Sequence, residues 1–338
     1  MHFPVLIGDI GGTNARFRLL HENGSAENFD PFETADHTTI SGAITTAIYP
    51  QCSELPKTII LAAAGPITQH GLKLTNCAWN IEPDTLLPET GVEQLILFND
   101  FDAQALALPG FSANDVTLVG PQNNDWTRKA TKAVLGPGTG LGVAGLIWAD
   151  ERWVPLGGEG GHVDLGPRTK REEQIWVHLD RFEGRVSAES ILSGGGLLNA
   201  YRALCMVDSA AAVFSAPAEV SVAALAETNS QAVEALSLFC ACLGRVAGDL
   251  ALTTMAKGGV FIGGGITSRI LPFLKKSAFR HEFEDKAPHR KILASIPTCV
   301  VTTSLPALDG LTAYARAPET YLITREGRSW QATAKTDL

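Results

Sequence analysis

The pattern of apolar and polar positions predicts an α/β protein with short strands and glycine-rich bends. Near the amino terminus, an apolar run over residues 5–7 enters a bend at residues 8–13, and a β-leaning run over residues 15–20 leaves it. This arrangement is typical of a β-hairpin. The glycines, followed by Thr13 and Asn14, leave backbone amides able to hold anionic oxygens, although a hairpin turn without a ligand would use the same residues.

A second copy of this pattern lies further along the chain. Residues 133–148 again place an apolar run before a glycine-rich bend, here with Gly138 and Thr139, and an aliphatic run after it. A single bend of this kind is a weak sign of a ligand site, but a repeated one favours a pair of phosphate-binding loops. The sequence therefore predicts that both bends hold phosphate.

The apolar run at residues 95–98 predicts a buried strand that ends at a polar pair, Asn99 and Asp100. A helix is predicted directly after it, over residues 101–108. Open α/β sheets bind ligands at the carboxyl ends of their strands, so this pair is a candidate site. Either residue could instead be the N-cap of the helix, where a side-chain oxygen accepts a hydrogen bond from a helical N–H group.

Further polar side chains lie in loops of the second half of the chain. A glycine-rich loop carries Glu159, His162 and Asp164, and a short later segment carries Glu189. Carboxylates and an imidazole can pair with the donors and acceptors of a polyhydroxylated ligand. A metal site in the glycine-rich loop is the alternative, but one histidine without a nearby cysteine supports a zinc site poorly.

The remaining pattern predicts two domains and a short tail. Helices are expected over residues 230–255 and 306–317, and a buried strand bracketed by glycines over residues 258–266. A helix broken by a Pro-Gly pair places the domain boundary near residue 109. We expect a small α/β domain over residues 1–109 plus about 305–321, a large α+β domain over 110–304, and a polar carboxyl-terminal tail over 322–338.

Composition and charge agree with a two-domain enzyme. The 338 residues are 45% hydrophobic, which is enough for two ordinary cores. The formal net charge is −9 and no basic cluster stands out, which argues against a nucleic-acid surface. A bound polyanion such as a nucleotide would then be held by backbone amides and a metal ion.

Cysteine usage and the amino terminus predict a cytoplasmic protein. Six scattered cysteines in a chain of this size do not form a disulfide framework, which favours a reducing compartment. The first residues lack the basic segment and apolar core of a signal peptide, and we expect no apolar run of about 18 residues that could span a membrane.

Two common nucleotide-binding motifs are excluded by their context. Neither bend ends in the Gly-Lys-Ser/Thr of a P-loop. A G-x-G-x-x-G match exists at Gly140, Gly142 and Gly145, but the residues that follow, 146–148, predict a strand where a dinucleotide-binding unit needs a helix. We interpret this match as a coincidence.

Seven motifs follow one another in a characteristic order: LIGDIGGTNAR, AAGPIT with LTNCAWNI, ILFNDF, LGPGTGLGVA, GGEGGHVDLGP, SAESILSGGGL and GGVFIGGGI. Together they resemble the bacterial glucokinases, and the resemblance covers residues 6 to about 316. It implies the ribonuclease-H-like, actin-like fold shared by sugar kinases, actin and the Hsp70 ATPase, with an active-site cleft between two domains. The order of the motifs is far more specific than any one of them.

The resemblance implies that ATP binds at both bends and at a third glycine cluster, which would flank the adenosine. Asp9 lies beside the first phosphate loop, where a carboxylate alone would repel the ligand, so we expect it to bind Mg²⁺ through water. An Asp that caps its own turn is the alternative. The implied ATP-binding residues are Gly8, Asp9, Ile10, Gly11, Gly12, Thr13, Gly138, Thr139, Gly263, Gly264 and Gly265.

By the same resemblance, glucose is bound by Asn99, Asp100, Glu159, His162 and Glu189. Phosphoryl transfer to an alcohol needs a group that accepts the hydroxyl proton, and Asp100 is the candidate base. The implied reaction is the entry step of glycolysis, in which MgATP and glucose give ADP and glucose 6-phosphate. Glucokinases of this type also suggest a homodimer.

Three other functions remain open from the residues alone. A kinase for another hexose or an amino sugar would need the same hydroxyl-binding groups. A sugar-sensing regulator would need an added DNA-binding helix-turn-helix, yet the first hairpin begins within a few residues of Met1. An actin-like or chaperone ATPase would leave the predicted sugar-binding side chains without a role.

Overall fold

A computed structural model describes residues 1–74, 77–121 and 125–332 of the chain. The motif LTNCAWNI therefore contains two residues, 75–76, that lie outside the described residues. The chain divides into two units, each with its own internal contacts. The first unit consists of Met1–Gly110, Trp148–Leu156 and Ser304–Leu338, and the second of Phe111–Ile147 and Gly157–Thr303.

The strands of the described residues are short, with β12 the longest. In chain order they are β1 (Val5–Ile10), β2 (Asn14–Leu20), β3 (Ala26–Asn28), β4 (Phe32–Glu33), β5 (Thr58–Ala63), β6 (Ile67–Thr68), β7 (Gly71–Lys73), β8 (Asn80–Ile81), β9 (Gln94–Asn99), β10 (Val116–Leu118), β11 (Lys132–Pro137), β12 (Leu141–Ala149), β13 (Arg152–Gly158), β14 (Val260–Ile262), β15 (Thr298–Val301) and β16 (Ser329–Gln331).

The helices vary from one turn to seven. In chain order they are α1 (Ile40–Ala43), α2 (Pro83–Thr90), α3 (Asp100–Ala107), α4 (Lys170–Trp176), α5 (Gly194–Val207), α6 (Pro217–Leu225), α7 (Ser230–Thr254), α8 (Gly265–Arg269), α9 (Leu271–Leu274), α10 (Phe279–Glu284), α11 (Arg290–Ser295) and α12 (Pro306–Arg316). A π-helical stretch, Ile44–Ile48, extends α1. Single 3₁₀ turns lie at Thr34–Asp36, Tyr49–Gln51, Leu108–Gly110, Gly160–His162, Ala188–Ser190 and Pro318–Thr320.

The main sheet of the first unit has the strand order β16-β9-β5-β1-β2-β3, and β4 also pairs with β2. β1 and β2 form the antiparallel hairpin that the sequence predicts. β1 runs parallel to β5, and β5 runs parallel to β9, with Ile10 opposite Ala63 and Ala63 opposite Asn99. Because parallel strands end at the same edge of a sheet, the first bend and the Asn99–Asp100 pair lie on one edge.

The sheet of the second unit repeats this arrangement. Its strand order is β10-β15-β14-β11-β12-β13. β11 and β12 form the second predicted hairpin, and β11, β14 and β15 run parallel, with Leu135 opposite Ile262. The second bend and the glycine cluster after β14 therefore also lie on one edge of their sheet. Three short strands of the first unit, in the order β6-β7-β8, form a separate small sheet.

Each unit has a hydrophobic core built on its parallel strands. All six residues of β5 are buried, as expected for a parallel strand that is covered on both faces. In the first unit Leu6, Ile59 and Leu97 belong to one buried cluster. In the second unit the cluster includes Leu135 and Phe239, which lie on β11 and α7.

The long helix α7 is apolar enough to be mistaken for a membrane span. The sequence predicts no run of about 18 apolar residues, and charged residues do interrupt this helix, but it is 25 residues long and contains an 18-residue window of mean hydropathy 1.6. However, 72% of that window is buried inside the protein. Within the described part of the chain, α7 is therefore a core helix of the second unit, capped by Asn229 at its first turn.

The carboxyl-terminal segment differs most from the sequence expectation. Residues 322–338 read as a polar tail, yet β16 pairs antiparallel with β9, with Trp330 opposite Leu95. Residues 333–338 lie outside the described residues. The spacing of Ile175, Leu179 and Phe182 predicts a helix over residues 171–182, but α4 ends at Trp176.

Candidate active site

The bend of the first hairpin is shorter than the sequence predicts. β1 ends at Ile10 and β2 begins at Asn14, so the loop contains only residues 11–13. It is closed by a hydrogen bond of 2.9 Å from its first amide to the carbonyl of Asn14. Residues 8–10, which the sequence places in the bend, lie in β1 instead. The exposed loop is consequently the part of the hairpin whose amides could reach a phosphate.

Gly8 has a packing role inside the sheet. A Cβ atom at this position would lie 2.6 Å from Leu61 Cδ2 and 2.8 Å from Phe17 Cε1. Both distances are shorter than any carbon–carbon contact allows, so β1 can lie this close to its neighbours only without a side chain here. The close approach of β1 to these side chains thus accounts for Gly8 without a ligand.

Asp9 lies in β1 with its side chain largely buried. Its Oδ2 is 3.5 Å from Nη1 of Arg16 on the neighbouring strand β2. Burial raises the pKa of Asp9 above its ordinary value, and the Arg16 guanidinium opposes that rise. A carboxylate that is desolvated and only loosely paired would gain stability from a nearby cation.

Asn99 and Asp100 lie where β9 ends and α3 begins. Asn99 is the N-cap, because its Oδ1 accepts a hydrogen bond of 2.9 Å from the amide of Phe101. The sequence left open which residue of the pair would cap the helix, and the backbone assigns this role to Asn99. Asp100 is the first residue of the helix, at the positive end of the helix dipole.

Asp100 has a strongly shifted pKa, which is raised to about 6. Burial contributes most to the rise, followed by the negative charge of Asp9, and the charge of Asp102 adds a smaller effect. Backbone N–H groups at the start of α3 act in the opposite direction. A carboxylate with a pKa near 6 is a better proton acceptor at neutral pH than an ordinary aspartate, while it remains largely ionised.

Sequence reasoning missed two residues beside this pair. Asp102 is buried on α3, and its Oδ1 has no hydrogen-bond partner among the described residues. Nη1 of Arg328 lies 3.6 Å from the other oxygen of Asp102, and the guanidinium also lies over the ring of Phe98. The amide of Leu97 donates a hydrogen bond to the carbonyl of Arg328, and this contact holds Arg328 in place at the start of β16. No local pattern could have indicated this contact, because 226 positions separate the partners.

The second hairpin also has a three-residue loop. β11 and β12 pair up to Pro137 opposite Leu141, so the loop contains Gly138, Thr139 and Gly140. The amide of Gly138 donates to the carbonyl of Gly140 at 2.8 Å. Thr139 is exposed at its tip. β12 continues as a strand through Ala149, which confirms that the G-x-G-x-x-G match is not a dinucleotide-binding turn.

Glu189 contacts this second loop directly. Its Oε2 accepts a hydrogen bond of 2.8 Å from the amide of Leu141, the first residue after the loop. A second contact joins the same segments, because the amide of Gly194 donates to the carbonyl of Gly138 at 2.9 Å. The predicted sugar-binding carboxylate and the predicted phosphate loop are therefore neighbours within the second unit.

Glu159 and His162 lie in the glycine-rich loop after β13, and both are exposed. The loop packs tightly onto the second hairpin, since a Cβ at Gly161 would lie 2.0 Å from the carbonyl oxygen of Leu141. His162 and Glu189 line one cavity of about 400 Å³. Its other lining residues are Asp180, Arg181, Phe182, Ser187, Ser190, Ser193, Gly195, Gly196 and Asn199.

The third glycine cluster lies at the turn between β14 and α8. The amide of Gly263 donates to the carbonyl of Leu135 at 2.8 Å, which extends the pairing with β11. Gly264 has a φ of +84°, and a Cβ there would lie 2.2 Å from the carbonyl oxygen of Pro137. Both the backbone conformation and the close approach require glycine. The turn thus lies against the strand that leads into the second loop.

Comparison with known proteins identifies the family. The sequence profile described as Glucokinase matches residues 6–318. The glucokinase of Rhizobium etli is 48% identical over 330 residues, which cover 97% of this chain and 96% of the relative. The chain belongs to the glucokinase family. The resemblance carried by the seven motifs is thereby confirmed, and this glucokinase family member is an enzyme.

Solved structures support the same assignment. The glucokinase from an Antarctic psychrotroph has a TM-score of 0.81 and 32% identity, and the match covers 93% of this chain and 98% of that one. A glucokinase from Balamuthia mandrillaris, solved in complex with glucose, has a TM-score of 0.73 at 22% identity, covering 92% and 93% of the two chains, and shows the shared fold. The expected α/β, actin-like fold of this family is confirmed.

The side chains of this glucokinase family member could bind a magnesium ion only together with ligands that a nucleotide supplies. Among the described residues, no three histidine, cysteine or acidic side chains cluster as a metal site. Mg²⁺ commonly uses one or two carboxylates together with waters and substrate phosphates. Asp9, beside the first loop, fits the role of such a single carboxylate.

Proposed function

We propose that this glucokinase transfers the γ-phosphoryl group of ATP to the 6-hydroxyl of D-glucose, with Asp100 as the general base. The observation that carries the assignment of the base is the position of Asp100. Asp100 lies at the carboxyl end of β9, on the sheet edge that β9 shares with the first hairpin. Its pKa is raised to about 6. Geometry and proton affinity thus favour the same residue.

The proposed step forms one P–O bond, breaks another and transfers one proton. The 6-oxygen of glucose bonds to the γ-phosphorus while its proton passes to an oxygen of Asp100. The bond from that phosphorus to the bridging oxygen of ADP breaks, and the electron pair leaves with ADP. Glucose 6-phosphate, ADP and protonated Asp100 result, and the proton is released to solvent afterwards.

We assign the phosphates of ATP to the two hairpin loops. The first loop, residues 11–13, and the second, with Gly138 and Thr139, would hold the phosphates through backbone N–H groups other than the first amide of each loop, which closes the loop itself. Neither loop has a P-loop lysine. Mg²⁺, held by Asp9 through water, would supply charge neutralisation on the phosphate oxygens. The turn at residues 263–265 would flank the adenosine, where the absence of side chains allows close approach.

The sugar is assigned to Asn99, Glu159, His162 and Glu189. Asn99 uses its carbonyl oxygen to cap α3, so its amide nitrogen is the group it offers to a hydroxyl. The carboxylates accept hydrogen bonds from hydroxyls, and the imidazole can donate or accept. A site built from such groups rejects sugars that leave them unpaired, which is why we expect glucose to be preferred over its epimers.

The direct test replaces the proposed base. Asp100→Asn keeps the size and much of the hydrogen bonding but removes the proton acceptor, so we expect kcat to fall about a hundredfold or more. Affinity for ATP should change little. Glucose-dependent ADP formation in a coupled assay measures kcat, and calorimetric titration with a non-hydrolysable ATP analogue measures nucleotide binding.

A matched substitution and a panel of sugars complete this test. Asp84→Asn removes a carboxylate from the exposed first turn of α2 and should leave turnover unchanged. Turnover near the wild-type rate in Asp100→Asn would remove Asp100 from the mechanism. Faster turnover of another hexose or an amino sugar would identify the alternative substrate, and ADP release without any sugar would favour an ATPase.

The cellular setting and assembly also belong to this proposal. All six cysteines are free thiols, which supports a reducing cytoplasm and a role at the entry of glycolysis. We also propose a homodimer, because the resemblance to the glucokinases suggests one, and Met206, Val213 and Val222 on the second unit are large apolar side chains that are exposed. Light scattering coupled to size-exclusion chromatography measures the mass, and a monomer at micromolar concentration would contradict the dimer.

A further inference from the structure

The segment from Glu189 to Gly194 holds both flanks of the second hairpin loop. On one flank the Glu189 carboxylate accepts the Leu141 amide at 2.8 Å. On the other, the Gly194 amide donates to the carbonyl of Gly138 at 2.9 Å. A single segment therefore makes one hydrogen bond to the first residue of the loop and another to the residue directly after the loop.

This segment is itself fixed. Ser193 caps α5 by accepting a hydrogen bond of 2.9 Å from the amide of Gly196. Its hydroxyl also donates to the carbonyl of Glu189 at 2.9 Å. Because these bonds hold the backbone of Glu189 to the start of a 14-residue helix, its carboxylate reaches the hairpin from a rigid base.

We propose that Glu189 is a positioning residue that couples the sugar site to the phosphate loop. One oxygen, Oε2, accepts the amide of Leu141 and so holds the loop, and the proposed function leaves the other oxygen, Oε1, to bind the sugar. A bound sugar that fixes the position of the Glu189 carboxylate therefore stabilises the conformation of the loop. A nucleotide bound to the loop stabilises the same position of the carboxylate. Such coupling is reciprocal in binding free energy. The inference rests on the proposed function, which assigns these two ligands to the two sites.

A substitution at Gly140, in the loop assigned to phosphate, can test whether that loop affects the position of the Glu189 carboxylate. A Cβ at Gly140 would lie 2.5 Å from Oε2 and 3.2 Å from Cδ of Glu189. The obstructing atoms are the flexible end of a side chain, so Gly140→Ala should fold and displace the carboxylate. Gly138→Ala, two residues earlier in the same loop, is the matched control, because the nearest atom to its Cβ would be 4.0 Å away.

The first measurement is glucose binding by calorimetry without nucleotide. We expect Gly140→Ala to raise the Kd for glucose about tenfold or more, since a charged hydrogen bond to the sugar is lost. Gly138→Ala should change it by about twofold at most, although both residues belong to the loop assigned to ATP. Equal glucose Kd values in the two variants would overturn the coupling. Failure of the wild-type protein to bind glucose would instead overturn the proposed function.

The second measurement is nucleotide binding without sugar, using a non-hydrolysable ATP analogue. Glu189→Ala removes the acceptor for Leu141 and should raise the Kd for the analogue about threefold or more. His162→Ala removes another predicted sugar ligand, one with an exposed side chain, and should leave that Kd unchanged. Glu189→Gln retains a carbonyl oxygen for Leu141 and should preserve nucleotide binding while weakening glucose binding. Equal Kd values for the analogue in Glu189→Ala and His162→Ala would also overturn the coupling.

Discussion

At the scale of single residues, the site combines two carboxylates that differ in environment although they share one sheet edge. Asp9 is paired loosely with Arg16, whereas Asp100 lies at a helix start with a pKa raised to about 6. The negative charge of Asp9 raises the pKa of Asp100. Burial raises the pKa of both carboxyl groups, but only Asp9 has a guanidinium group, that of Arg16, which opposes the rise.

The raised pKa of Asp100 predicts the acid limb of the pH profile. Only the ionised carboxylate accepts a proton, so kcat/KM should be constant above about pH 7 and fall about tenfold per pH unit below about 6. Removing a neighbouring negative charge lowers the pKa of Asp100. Asp102→Asn should therefore shift this limb to lower pH. The measurement is kcat/KM for glucose between pH 5 and 8, and a flat profile would contradict the prediction.

At the scale of elements, two positions lie so close to a hairpin strand or its neighbours that glycine is required, one inside a strand and one in a turn. Gly8 on β1 faces Leu61 and Phe17, and Gly264 after β14 faces Pro137. The sequence pattern indicated glycines that bend the chain or contact a ligand. At Gly8 the structure gives a different physical reason, which is packing between paired strands.

A substitution in β1 tests whether Gly8 is required for packing between the strands. Gly8→Ala introduces a methyl group into the space of Leu61 and Phe17, and we expect it to lower the free energy of unfolding by about 1–3 kcal/mol. Gly110→Ala is the matched control, because its Cβ would meet no atom within 4 Å. Urea denaturation followed by fluorescence measures both values. Equal stability of the two variants would mean that the sheet accommodates the methyl group.

At the scale of the whole molecule, two units of related design each have their own core. Both place a glycine-loop hairpin beside two parallel strands, in the orders β2-β1-β5-β9 and β12-β11-β14-β15. The second unit additionally contains a buried ion pair, in which Arg245 on α7 donates to both carboxylate oxygens of Glu172 at 2.7 Å. Arg245 also donates to Glu282 on α10 at 2.7 Å. This cluster connects three helices of that unit.

Loss of this buried pair should destabilise the protein far more than loss of an exposed one. Arg245→Met leaves the Glu172 carboxylate buried without its partner, which costs about 3–5 kcal/mol. Arg152→Met removes the same charge from a pair whose Asp150 side chain is 89% exposed, and should cost under about 1 kcal/mol. Denaturant titration of both variants measures the difference. Similar unfolding midpoints would show that the buried pair contributes no more than a surface pair.

Much of the fold and of the candidate site could be predicted from local sequence patterns. The two hairpins, the strand ending at Asn99 and helix α7 follow from hydrophobic periodicity and glycine placement, which are properties of neighbouring residues. The order of the seven motifs predicted the family, which the comparisons confirm. The roles assigned to individual ATP-binding and sugar-binding residues stay predictions.

Only the tertiary structure decided which of these local elements meet. The strand order β1-β5-β9 brings Asp9 near Asp100, and that proximity together with burial sets the raised pKa. β16 joins the same sheet although three residues with one aromatic give almost no pattern. The bond from Leu141 to Glu189 likewise spans 48 positions. Sequence by itself determined the elements and the chemistry available to them, because both are local, whereas pairing, burial and charge proximity depend on contacts between distant residues.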